Sequence, residues 1–193
     1  INFLKYQFPN LKYMASSCKS PRQMVGTVAK TYYAQKIGVQ PKDLIVVSVM
    51  PCIAKKWESK RPQHRTGGAP DVDYVITTRE LAKMFKESGI DLRHMPDEEF
   101  DNPLGESTGA GVIFGATGGV LEAALRTVYE RATGQELGDV NFAAVRGLQG
   151  VKEATIDLGG RQLNVAAASG LGNARKILEN IERGTSRYHV IEI

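Results

Sequence analysis

With 193 residues, 42% of them hydrophobic and 24% charged, the chain is long enough for one ordinary core and too apolar to be disordered. A net charge of +4 is too mild to argue for nucleic acid, and the longest apolar stretch, residues 44–50, is far too short to cross a bilayer. No basic-then-apolar leader opens the sequence, so a cytoplasmic location is expected, with Cys18 and Cys52 reduced rather than paired. The chain starts on Ile1 and stops on residues 188–193, a strand pattern without a turn or tail, so both ends are expected to be cut.

Taken in chain order, residues 22–37 have helical spacing, with Met24, Val25, Val28 and Tyr32 near one face, Ser20-Pro21 as the start and Gly38 as the stop. Residues 44–50 are β-branched and almost wholly apolar, which predicts a strand covered on both faces and ended by Pro51. Residues 59–70 read as a polar loop and 73–77 as a short strand. Thr78 is the expected cap of a helix over 79–86, ended by Gly89. Another loop covers 91–106, a glycine-rich segment 105–119, and a helix 120–132. Residues 142–146 are a strand candidate, and 152–158 with 162–168 form a hairpin about Gly159-Gly160. A helix over 173–183 and a strand over 188–193 close the chain. Strands alternating with helices predict an α/β fold with a mixed, mainly parallel sheet flanked by helices and one β-hairpin, organised as a single segment over 1–193.

Three places could carry chemistry. Met50-Pro-Cys-Ile-Ala-Lys-Lys-Trp-Glu58 puts Cys52 at the C-terminal end of a strand, where open α/β sheets place their ligands. Lys55 could there support a thiolate or an anionic ligand, and soft thiolate suits iron–sulfur clusters. A buried structural cysteine is an equally good account. Gly109-Ala-Gly-Val-Ile-Phe-Gly-Ala-Thr-Gly-Gly119 could cradle a phosphate, but it lacks the Gly-Lys-Ser/Thr signature, and tight packing of a helix on the sheet is the stronger reading. Ser16-Ser-Cys-Lys-Ser-Pro21 could bind an anion or relay a proton, although a capping turn accounts for it better. His64, His94 and His189 are scattered without zinc-site spacing.

These blocks, together with Lys30-Thr-Tyr-Tyr33, Val75-Ile-Thr-Thr-Arg-Glu-Leu-Ala-Lys83, the run on to Arg126 and Val145-Arg-Gly-Leu-Gln-Gly150, resemble the central part of the catalytic domain of iron-only (FeFe) hydrogenases. The resemblance implies reversible oxidation of H2 to protons and electrons at an H-cluster. That cofactor is a four-iron, four-sulfide cubane bridged by a cysteine to a two-iron unit with carbon monoxide, cyanide and dithiolate ligands.

By resemblance, Cys52 is a cubane ligand and Lys55 pairs with a cyanide. Met50, Pro51 and Pro21 line the pocket, Phe114 and Gly115 form its opposite wall, Ser16 belongs to the proton path, and Glu58 orients the motif. Arg22 stands where some relatives carry Gln, and Cys18 matches no ligand. The family's flanking cysteine motifs are expected just before Ile1 and just after Ile193, so the segment alone is expected to be inactive. Implied partners are H2 and protons, a ferredoxin or an NAD(P)-linked electron-transfer subunit, and hydrogenase maturation proteins; nucleic acid and a membrane span are not expected. The competing readings are an iron–sulfur cluster assembly or carrier protein of the same fold, a hydrogen sensor, and a phosphate- or nucleotide-binding α/β domain.

Overall fold

A computed structural model describes residues 1–106, 108–145 and 149–193. In chain order the elements are α1 (Asn2–Gln7), a 3-10 turn (Pro9–Met14), α2 (Pro21–Val28), a π-helical turn (Ala29–Tyr33) and α3 (Ala34–Ile37). Then come β1 (Val47–Val49), α4 (Ala54–Ser59), β2 (Arg65–Thr66), β3 (Ala69–Pro70), β4 (Tyr74–Ile76) and α5 (Thr78–Glu87). The rest is α6 (Ala110–Ile113), α7 (Gly119–Thr133), β5 (Ala143–Ala144), β6 (Val151–Asp157), β7 (Gln162–Ala168), α8 (Leu171–Glu182) and β8 (Val190–Glu192). The expected strand over 142–146 and the block 145–150 lie partly on Arg146, Gly147 and Leu148, outside the described residues.

The chain divides into two compact units, one formed by residues 1–15 with 106–193 and the other by residues 16–105. In the first, β5-β6-β7-β8 make one sheet, antiparallel except for the parallel pair β7/β8. The β6/β7 hairpin turns at Gly159-Gly160 as expected, both glycines having positive φ. Alternation along the strands loads both faces of this sheet. Ile156 and Val165 pack with Leu121 and Leu125 of α7, whereas Val151, Ala166 and Ala168 pack with Ile177 of α8. A third cluster sets Phe8 and Leu11 against Leu178.

In the second unit, α2, the π turn and α3 run on as one helix, stopped by Gly38 in the left-handed region (φ 72°). β1 pairs in parallel with β4, Val47 opposite Tyr74. Buried charge takes the place of a large apolar core. Lys30, fully buried, pairs with Asp73 at 2.8 Å and donates to the Leu44 carbonyl, while Asp73 accepts the Val46 amide at 2.8 Å. Lys19 pairs with fully buried Asp71 at 2.7 Å, which also accepts the Thr66 hydroxyl at 2.6 Å.

The α/β class with mixed sheets and helices holds. The antiparallel share is larger than expected, because β5, β6 and β7 form a meander and a second hairpin, β2/β3 about Gly67-Gly68, occupies the 59–70 loop. The apolar run over 44–50 contributes only three strand residues, and Val47 (52%) and Val49 (44%) remain exposed instead of being covered on both faces. The cap of α5 is Thr77, not Thr78. Glu80 falls three residues after Thr77, so the two exchange a capping box: the Thr77 hydroxyl accepts the Glu80 amide and the Glu80 carboxylate accepts the Thr77 amide.

Candidate functional site

The Met50–Glu58 segment lies wholly within the 16–105 unit. Met50 is half-buried and prolongs the β1/β4 ladder by donating its amide to the Ile76 carbonyl at 3.0 Å. Pro51 then stops the strand, having no amide to offer. Pro51 and Cys52 are both exposed, and the Cys52 carbonyl accepts the Lys55 amide at 3.2 Å as α4 begins. Burial therefore does not account for Cys52, and its thiol is free at the surface of the chain.

Behind the cysteine sits an ion cluster. Glu58 Oε2 accepts from Lys55 Nζ at 3.0 Å and from Arg22 Nη2 at 3.2 Å, and the same Nη2 donates to the Lys55 carbonyl at 2.7 Å. The Arg22 side chain is only 8% exposed, so one guanidinium ties the start of α2 to both ends of α4. Burial by itself would raise the Glu58 carboxyl. The facing Ser20 hydroxyl, the Lys55 ammonium and the Arg22 guanidinium outweigh it and hold the group at about 2.

The other residues singled out from the sequence are placed as follows. Pro21 is exposed at the first position of α2. Ser16 is exposed, and its Oγ accepts the Cys18 amide at 3.1 Å, so the segment does make a local turn. Cys18 is exposed as well. Phe114 and Gly115 follow α6 in the other unit, both exposed. There the phosphate reading loses its donors: the Glu192 carboxylate of β8 already takes the amides of Gly118 (3.0 Å) and Leu121 (2.7 Å) at the start of α7. Packing explains Gly119, where a Cβ would lie 1.7 Å from the Ile113 carbonyl oxygen, whereas Gly109 and Gly111 have open space around theirs.

Sequence reasoning did not find Arg22 as the clamp, nor the part-buried Lys19 and the buried Lys30, Asp71 and His64. Only the Lys55/Glu58 spacing, three apart on a helix, signalled part of the cluster. Burial lowers the His64 pKa first of all, and its Nδ1 has no partner.

Among the described residues, Arg22 Nε and Nη1 are buried without hydrogen-bond partners. Two cations around one carboxylate leave a positive surplus beside a soft thiol, which fits an anionic iron–sulfur group. It fits only one corner of it, because no group of three or more His, Cys, Asp or Glu side chains among the described residues could hold a metal ion.

A family model described as iron only hydrogenase large subunit, C-terminal domain, matches residues 1–193. The chain is 53% identical over its whole length to the NADP-reducing hydrogenase subunit HndD of Solidesulfovibrio fructosivorans, spanning 33% of that protein. It is 48% identical over 96% of its length to the periplasmic Fe hydrogenase large subunit of Nitratidesulfovibrio vulgaris, spanning 44% of it. An apo FeFe-hydrogenase HydA1 structure from Chlamydomonas reinhardtii superposes with a TM-score of 0.83 at 39% identity, over 99% of this chain and 55% of that one. Identity falls to 31% against the cytosolic Fe-S cluster assembly factor narfl of Danio rerio, over 92% of this chain and 44% of that protein. The chain thus spans less than half the length of these curated relatives, and it belongs to the family of iron only hydrogenase large subunits, C-terminal domain.

Proposed function

We propose that this chain is part of an iron hydrogenase that interconverts H2 with protons and electrons at an H-cluster. The observation that carries the reading is an exposed thiol, Cys52, whose carbonyl accepts the amide of Lys55, a member of the cationic Arg22–Glu58–Lys55 cluster. The higher identity to hydrogenases than to the assembly factor favours the enzyme over a carrier.

When bound, the cluster supplies the redox-active iron at which hydrogen is made or split. The Cys52 thiolate would serve as one ligand of the cubane. One thiolate cannot hold such a cluster, so its other ligands belong to the rest of the holoprotein, and the 193 residues alone are inactive. With the group bound, the Lys55 ammonium would donate to an anionic cyanide ligand of the two-iron unit, a charge-assisted contact. Met50, Pro51 and Pro21 are proposed as cofactor-lining residues of the 16–105 unit, and Phe114 and Gly115 as cofactor-lining residues of the other unit. Ser16, able to accept and donate in turn, passes protons. Glu58 holds the motif and does not move protons, since its carboxyl stays ionised down to about pH 2. Electrons leave to an NAD(P)-linked subunit or a ferredoxin, and maturation proteins insert the two-iron unit. No helix among the described residues is long and apolar enough to cross a membrane, and we place the protein in the cytoplasm.

The test is anaerobic hydrogen uptake by the full-length protein matured with its two-iron unit. Uptake with an artificial electron acceptor is the expected result. A loaded cubane without any uptake would move the protein to the assembly or sensing class.

A further inference from the structure

Around Glu58 two cations compete for one oxygen. Lys55 Nζ reaches Oε2 at 3.0 Å and Arg22 Nη2 reaches the same atom at 3.2 Å. An isolated Lys–Glu pair three apart on a helix would satisfy itself and leave no net charge. Here Arg22 brings a second positive charge that it cannot shed, because a guanidinium does not deprotonate in proteins. It is fixed in place, being 8% exposed and bonded to the Lys55 carbonyl at 2.7 Å. Among the described residues its Nε and Nη1 find no acceptor, and Glu58 is its anionic partner. The remaining charges nearby do not alter this balance: Lys19 is taken by Asp71 at 2.7 Å, and burial disfavours the charged form of His64.

We infer that Arg22 is a positioning residue: by sharing Glu58, it keeps the Lys55 ammonium from being consumed by that carboxylate and leaves it available to an anionic ligand at the Cys52 end of α4. This rests on the reading of Cys52 and Lys55 given above. Without Arg22, the whole Glu58 charge falls to Lys55, the existing 3.0 Å pair tightens, and the ammonium is drawn away from the ligand. The start of α4 also loses its tie to α2.

The experiment is infrared spectroscopy of the matured full-length protein, reading the C–N and C–O stretches of the two-iron unit, with Arg22→Gln, Arg22→Lys, Lys55→Ala and Glu58→Gln variants. Arg22→Gln should move a C–N stretch in the same direction as Lys55→Ala, by a smaller amount. Arg22→Lys, which keeps the charge, should return it most of the way. With Glu58 already replaced by Gln, Arg22→Gln should produce little further shift, because no carboxylate is left to share. Wild-type bands that do not respond to Arg22→Gln, or that respond equally with and without Glu58, overturn the inference while leaving the hydrogenase reading intact. A wild-type protein that shows no such bands after maturation overturns that reading itself. Should Arg22→Gln fail to fold, Arg22→Lys and the Glu58→Gln pair still decide, since a purely structural role gives no Glu58-dependent band shift.

Discussion

Glu58 is ionised under all ordinary conditions, and that has a consequence for stability. Its pKa is lowered from 4.5 to about 2, so the folded state favours the carboxylate more than the unfolded state does. The stabilisation is complete above pH 4.5 and disappears as pH falls through about 2. At 1.36 kcal/mol per unit it is worth about 3 kcal/mol at most. The melting-temperature gap between the protein and its Glu58→Gln variant should therefore be widest near neutral pH and close as pH 2 is approached. A gap that stays constant with pH would show that the carboxylate's charge contributes nothing. At this scale half of the cluster has a signal in the sequence, although the pairing itself was not read from it. Lys55 and Glu58 are three apart on a helix, a spacing that can be read directly. Arg22 is 33 residues from Lys55, and no local pattern announces a partner at that distance.

Among the elements, the parallel pair β1/β4 owes its register to Lys30, which reaches Asp73 and the Leu44 carbonyl from the π turn. Lys30→Met should cost about 3–5 kcal/mol in urea unfolding, because it leaves a half-buried carboxylate without its counter-charge. Adding Asp73→Asn should recover part of that loss, since the amide oxygen can still accept from Val46. Full additivity of the two changes would contradict the pairing.

The glycine segment divides in the same concrete way. Gly119→Ala drives a Cβ into the Ile113 carbonyl and should leave little folded protein, whereas Gly111→Ala, with open space around its Cβ, should be near neutral in thermal unfolding. Helices were the easiest elements to read from their apolar period, although the cap of α5 was expected on Thr78, one residue past the Thr77–Glu80 capping box. Strand β1 was harder. Hydropathy says that residues 44–50 avoid water but not which surface covers them, and Val47 and Val49 stand exposed in the structure.

For the molecule as a whole, alternation of strands and helices was enough to give the α/β class, and the order of the sequence blocks gave the family. The division into two units was not visible, because the first fifteen residues join a unit that resumes only at residue 106. The sequence favoured a packed turn over a phosphate loop at residues 109–119 but could not show what occupies the amides. The deciding group, Glu192, is 74 residues beyond Gly118.

The functional account stands on Cys52, and iron content tests it most directly. The full-length protein, its Cys52→Ser variant and its Cys18→Ser variant should be reconstituted anaerobically with iron and sulfide, then assayed for bound iron and for the cubane's electron paramagnetic resonance signal after reduction. The cubane should be lost or severely depleted in Cys52→Ser and retained in Cys18→Ser. A Cys52→Ser protein that keeps the wild-type iron content and signal would contradict the assignment of Cys52 to the cluster.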